Sequence, residues 1–202
     1  MRRVLVAVAV AAVASAVLTA SVCHRVGRPI PRAVVPIDQA SCSVLFSPDG
    51  GCTEAVVDVL RAATNSVLVQ AYSFTSPSIS DALVEAKARG VDVRVVLDAN
   101  ESVSDYSVAS KLSSGGVAVL ADKAHAIAHN KVMIVDGAVV VTGSFNFTRQ
   151  AEQRNAENLL IIRSQEMAAT YSENWKAHAA HSLKYSTYAR RVKASGKDRD
   201  RR

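Results

Sequence analysis

Two ten-residue runs, AIAHNKVMIV and AVVVTGSFNF, stand on either side of a single Asp136-Gly137 pair. A two-residue hairpin needs positive φ at both turn positions to match the twist of its strands, and Asp-Gly meets that need. The segment is therefore expected to fold as a β-hairpin. With Val135 facing Ala138, Lys131 lies opposite Thr142, His129 opposite Ser144, and Ile127 opposite Asn146. Directly opposed residues project to the same side of a sheet. One face is then predicted to gather His129, Lys131, Ser144 and Asn146, and the reverse to form a core face of Val132, Ile134, Val139, Val141, Phe145 and Phe147. An imidazole, an ammonium, a hydroxyl and an amide on one surface make an anion site. His129 and Lys131, two positions apart and roughly 7 Å along a strand, can reach one phosphate together. Asp136 sits in the turn, on the order of 20 Å from His129 along the strand, and is expected to be structural.

The flanking sequence alternates between two periods. Glu54 to Ala63 carries Val56, Val57, Leu60 and Ala63 at helical spacing, and Ser66 to Phe74 is strand-like. Asp81 to Arg89 is helical and stops at Gly90, Val91 to Leu97 alternates as a strand, Ser107 to Leu112 is a short helix, and Val117 to Leu120 is a further strand. Beyond the hairpin come a strand from about Glu157 to Arg163 and a helix from Gln165 to about Leu183. Helix alternating with strand argues an α/β layer fold. With 202 residues, 49% of them hydrophobic and 21% charged, the chain can bury a real core, which excludes global disorder and a disulfide-only scaffold. His178 and His181, one turn apart near Trp175, read as helix packing or surface, with metal ligation as the alternative. His125 reads as a surface or satisfied core residue.

The ends differ from the body. Arg2-Arg3 followed by the apolar run Val4 to Ala14 has the layout of an export signal over residues 1–28, with an uncleaved anchor as the competing reading and a lipid-modified Cys23 as a third. The chain is expected to be exported, periplasmic or secreted, or held at a membrane by its N-terminus. Residues 29–42 read as a linker, 43–183 as the catalytic domain and 184–202 as a basic tail. That tail holds eight basic groups against two acids, which equals the whole formal charge of +6. Such a tail can hold polyanions or an anionic membrane surface without reading sequence. Cys42 and Cys52 are a candidate disulfide closing a short loop, worth roughly 2–3 kcal/mol, with two free thiols as the alternative.

His129-Asn130-Lys131, then Asp136, then Gly143-Ser144-Phe145-Asn146, resembles the HxKxxxxDxxxxxxGSxN signature of the phospholipase D superfamily. Asn155-Ala156-Glu157 resembles the acidic position that follows it. The likeness runs from about Ser43 to Leu183, includes QAYSFTS at Gln70–Ser76, and is strongest to the single-motif, Nuc-like bacterial endonucleases. The resemblance implies a mixed β-sheet flanked by helices, with one half-site per chain. It further implies a phosphodiesterase that uses no cofactor and no metal and works through a phosphohistidine. His129 matches the nucleophile, Lys131 and Asn146 the grips on nonbridging phosphate oxygens, and Glu157 the carboxylate that accepts the other imidazole N–H. Ser144 supports that arrangement, while Asp136 and Gly143 belong to the motif's structural part. No other histidine is followed two residues later by lysine, so the second histidine must come from a homodimer partner. The expected substrate is nucleic acid, DNA in the first place with RNA as a further candidate; the alternative is a phospholipase D cleaving phosphatidyl headgroups, with the tail on anionic lipid. A polyanion-binding protein without chemistry is disfavoured, because no motif residue is missing.

Overall fold

The strand-like runs all enter one sheet, and the helical runs cover both of its faces. The computed structural model describes residues 41–199, with side chains to residue 195, so the leader, Cys23, most of the linker and the last three residues lie outside it. The strands are β1 (Ser41–Ser47), β2 (Ser66–Ala71), β3 (Asp92–Asp98), β4 (Ala118–Asp122), β5 (Lys131–Val135), β6 (Val139–Gly143), β7 (Glu157–Arg163) and β8 (Leu183–Lys184). The helices are α1 (Cys52–Arg61), α2 (Pro77–Ala88), α3 (Ala99–Ser102), α4 (Ala109–Ser114), α5 (Arg149–Gln153), α6 (Gln165–His181) and α7 (Tyr185–Arg199). The sheet order is β1-β7-β6-β5-β2-β3-β4-β8. β2, β3 and β4 are parallel, and every other pairing is antiparallel. This is the mixed, helix-flanked α/β architecture expected from the sequence.

Caps fix where the helices start. Ser76 accepts from the Ile79 N–H with Pro77 at the first position of α2, Thr148 accepts from Ala151 N at α5, and Ser164 accepts from Met167 N at α6. At α1 the Glu152 carboxylate takes that role, accepting from Gly51 N at 3.1 Å and Thr53 N at 2.6 Å. On one face of the sheet Met133, Val135 and Val141 pack with Val56 and Leu60 of α1, Ile79 and Leu83 of α2 and Leu112 of α4. On the other face Val96, Val132, Ile134, Val140 and Ile162 pack against Ala168 and Trp175 of α6, and the Trp175 indole donates to the Val69 carbonyl at 2.8 Å. Among the described residues, no helix is long and apolar enough to cross a membrane.

Three expectations require correction. The hairpin forms, but Val135 pairs with Val139 and Val132 with Thr142, one residue out of the predicted register. Ala138 N does close the turn onto the Val135 carbonyl, yet the Ala138 carbonyl is taken by Ser164 N beside β7, and the ladder resumes one residue later. There is also no polar sheet face. β5 is an interior strand buried along its whole length, and the residues predicted to share one core face divide between two. Third, Cys42 and Cys52 are not bonded. Cys42 is exposed five residues before the end of β1, about 17 Å from the turn that leads into α1, while Cys52 is fully buried. Burial, with help from the Glu152 carboxylate, pushes the Cys52 thiol above its ordinary value and keeps it protonated. The basic segment is helical through Arg199: α7 docks through Tyr188, 7% exposed, against Ala99 and Ala121, with its cations Arg190, Arg191 and Lys193 turned to solvent.

Candidate active site

The parallel strands β2, β3 and β4 all finish at one end of the sheet, where β6 also ends and β5 and β7 begin. Open α/β sheets bind ligands just outside the carboxyl ends of their strands. The signature residues meet there, on loops, and not on the sheet surface. His129 lies two residues before β5, exposed, on a connection from β4 that is pinned by two aspartates. Asp98, 3% exposed at the end of β3, accepts from Ala128 N at 2.9 Å, and Asp122 at the end of β4 accepts from Ala124 N at 2.9 Å. The imidazole of His129 has no hydrogen-bond partner among the described residues and leans on Tyr72, with ring centroids 4.7 Å apart.

Lys131, 7% exposed, reaches the same ring from the other strand end: its Nζ lies 5.3 Å from the Tyr72 centroid and donates to the His129 carbonyl at 2.9 Å. Burial pushes the Lys131 ammonium below its ordinary value, and the Glu157 carboxylate opposes that fall. The Tyr72 phenol is pushed up, first by the Glu101 carboxylate and then by burial and Asp98, so it stays a neutral donor.

Glu157 opens β7 and is engaged within the chain through both of its oxygens. Its carboxylate accepts from the Ser144 hydroxyl at 2.6 Å and from Asn155 Nδ2 at 2.9 Å. It makes no hydrogen bond to His129, contrary to the role the resemblance implies; the loop after β6 delivers Ser144 to it first. Ser144 also accepts from Asn158 N at 3.1 Å, which ties that loop to β7. Gly143 makes this approach feasible, because at φ +148° a Cβ would collide with the Asn158 carbonyl. Asn146 follows on the same loop, and its Oδ1 is buried without a partner. A buried carbonyl oxygen with nothing to accept from is costly, and so marks a place where a donor is awaited.

Asn146 and Asn155 share a polar cleft of about 520 Å³ with Ser73, Thr75, Tyr106 and Arg149. The cleft is held open by backbone ties between the loop after β2 and the loop after β6: Thr75 N and Ser76 N both donate to the Phe147 carbonyl, and Phe74 meets Phe147 edge-on at 5.5 Å. Sequence reasoning missed Tyr72, Asp98, Tyr106 and Arg149. Only Tyr72 carried a signal, as part of QAYSFTS.

Asp136 is at the opposite end. Its carboxylate accepts from Thr64 N and Thr64 Oγ1 at 2.9 Å and from Asn65 N and Ser66 N at 2.8 Å, which fixes the start of β2. Burial acts to raise this carboxyl, but the hydrogen bonds outweigh it and hold it below the usual carboxylate value.

Comparison with known proteins agrees with this geometry. The sequence matches the family described as "Cardiolipin synthase, PLD-like domain" over residues 56–179. It is 42% identical to a phospholipase D of Rickettsia conorii over 139 residues, covering 69% of this chain and 70% of that protein. It is 35% identical to a mitochondrial cardiolipin hydrolase of Xenopus tropicalis over 141 residues, covering 70% of this chain and 66% of that one. The crystal structure of Nuc, a phospholipase D family member from Salmonella typhimurium, superposes with a TM-score of 0.70 at 37% identity, over 73% of this chain and 99% of that one.

Proposed function

The chain belongs to the phospholipase D superfamily of phosphodiesterases, and from that premise we propose that it is an exported endonuclease of broad sequence preference, acting on DNA and also RNA. The observation that carries the choice of substrate is the character of the cleft. Tyr106, 83% exposed at its rim, offers a flat ring on which a base can stack, with Arg149 and amides beside it. Aromatic rings interleaved with cations suit a single strand of any sequence. The exposed cations of α7 add attraction that does not depend on sequence. A second reading, hydrolysis of lipid phosphodiesters, is favoured by the exposed Ile127 and Phe46, 56% and 65% accessible, and by the names of the curated relatives.

In the proposed mechanism an imidazole nitrogen of His129 attacks phosphorus, so that a P–N bond forms as the P–O bond to the leaving group breaks. Lys131 Nζ and Asn146 Nδ2 donate to the nonbridging oxygens, where charge grows as phosphorus becomes pentacoordinate. The leaving oxygen takes its proton from a second copy of His129 across a twofold axis, since one imidazole cannot stand on both sides of an in-line displacement. Water then breaks the P–N bond, and the second imidazole takes its proton. Nothing in these steps draws on a metal-bound water.

The test is a side-by-side assay, with excess EDTA, on plasmid DNA, RNA, and phosphatidylcholine and cardiolipin vesicles. DNA should be nicked by the wild type and spared by folded His129→Ala. Cleavage of vesicles with DNA untouched would replace the nuclease reading by the lipid one. A requirement for added magnesium would remove the phosphohistidine mechanism.

A further inference from the structure

Away from the cleft, three of the chain's five histidines converge on one carboxylate. Asp122 ends β4 with its side chain wholly buried, His125 follows in the loop toward His129, and His178 and His181 lie one turn apart at the end of α6. His178 Nδ1 lies 2.7 Å from Asp122 Oδ2, His125 Nδ1 3.0 Å, and His181 Nε2 3.3 Å. The three rings touch, with centroids 4.6, 5.1 and 5.4 Å apart. We propose that Asp122, His125, His178 and His181 form a structural zinc site.

Hydrogen bonding alone explains this cluster poorly. A carboxylate oxygen has two lone pairs, yet three ring nitrogens crowd Oδ2, while Oδ1 is already met by Ala124 N at 2.9 Å and His125 Nδ1 at 3.2 Å. A cation at the centre draws on a lone pair from each ring instead of asking each ring to donate. The dimensions fit. Tetrahedral zinc with bonds of about 2.0–2.1 Å places its donors roughly 3.3–3.5 Å apart. Here the nitrogens stand 2.7 to 3.3 Å from the oxygen, and one ligand atom from each residue lies within 4.8 Å of all the others. Small outward rotations of the rings would admit the ion.

The donor set also selects the metal. Three imidazoles and one carboxylate suit zinc, whereas magnesium and calcium want six or more oxygens. Four protein ligands leave no open position, which is the pattern of a structural ion and not of one that activates water. Its effect is mechanical. The ion would clamp the end of β4, the loop whose residue 129 lies four positions beyond His125, and the end of α6, from which β8 returns to pair with β4. Zinc here is a positioning element for the His129 loop and stands outside the phosphoryl chemistry.

The test uses the untagged full chain, stripped with a chelator and titrated with zinc against a chromophoric competitor. One zinc per chain is expected, with a rise in thermal midpoint of roughly 5 °C at saturating zinc. His125→Ala and His181→Gln should each weaken binding by about a hundredfold or more, and His129→Ala should leave it unchanged. Cobalt(II) in the wild type should give the intense visible absorption of tetrahedral coordination, which requires no variant to fold. Substoichiometric zinc, a midpoint indifferent to zinc, undiminished binding by folded His181→Gln, or an octahedral cobalt spectrum would each overturn the site.

Discussion

The two ends of β5 carry opposite kinds of polar chemistry. At the turn, the Asp136 carboxylate meets four donors, and nothing about it awaits a partner. At the other end, the His129 ring has no hydrogen bond among the described residues, the Asn146 Oδ1 is buried and unpaired, and Lys131 uses one of its three ammonium donors on a backbone carbonyl. Both ends belong to one sequence signature, so membership of the signature does not by itself assign a role. Saturation of hydrogen bonds separates residues that hold the fold from residues that await a partner: the Asn146 Oδ1 awaits a donor, and only the amide's Nδ2 can meet a phosphate oxygen.

The largest effect that tests this contrast is Asn146→Ala. Turnover should fall by a factor on the order of a hundred while the thermal midpoint stays within a degree or two, as for removal of a transition-state donor. A stability loss without a turnover loss would move Asn146 to the structural end of the comparison.

Asp136→Ala should do the reverse. Loss of a hydrogen-bonded carboxylate should cost on the order of 2 kcal/mol in denaturant unfolding and leave turnover per folded molecule unchanged. Because the folded carboxyl is held low, its contribution is present above the unfolded value of about 3.9 and lost as pH falls through the folded value. The variant should therefore lose less stability on acidification than the wild type, and parallel acid-unfolding curves would contradict this.

The smallest effect is a shift of a pH profile. Burial holds the Lys131 ammonium low and Glu157 opposes it, so Glu157→Gln removes the opposing charge and Lys131 loses its proton at lower pH. The alkaline limb of kcat against pH should move downward. An unmoved limb would detach Glu157 from the electrostatics of Lys131.

How far the sequence was legible follows from what each reading depended on. β7 matches its predicted span of Glu157 to Arg163, and the helices before each parallel strand were visible as periodicity. The hairpin was visible as well, but not its register, because the residue that shifts it, Ala138, is claimed by Ser164, which follows β7 and is remote in sequence. The supposed polar face failed for a reason that was present in the sequence: VMIV and AVVV contain no polar alternation, which is the pattern of strands buried on both faces. Tyr185, Tyr188, Ala189 and Val192 recur at helical spacing, an apolar hint that a basic segment would dock as a helix. The histidine cluster was beyond reach, since His178 meets Asp122 across 56 residues of chain.

The hairpin bears finally on what a spacing pattern measures. β5 and β6 are five residues each, the turn between them is moored to residues 64–66, and Gly143 is pressed against the Asn158 carbonyl at the far end. The interval from Lys131 to Gly143 is thus a fixed distance in ångströms folded double, a caliper with both jaws anchored. Lengthening one arm by a residue would lift its jaw by about 3.3 Å and turn its side chains over, so a viable change must be made in both arms together.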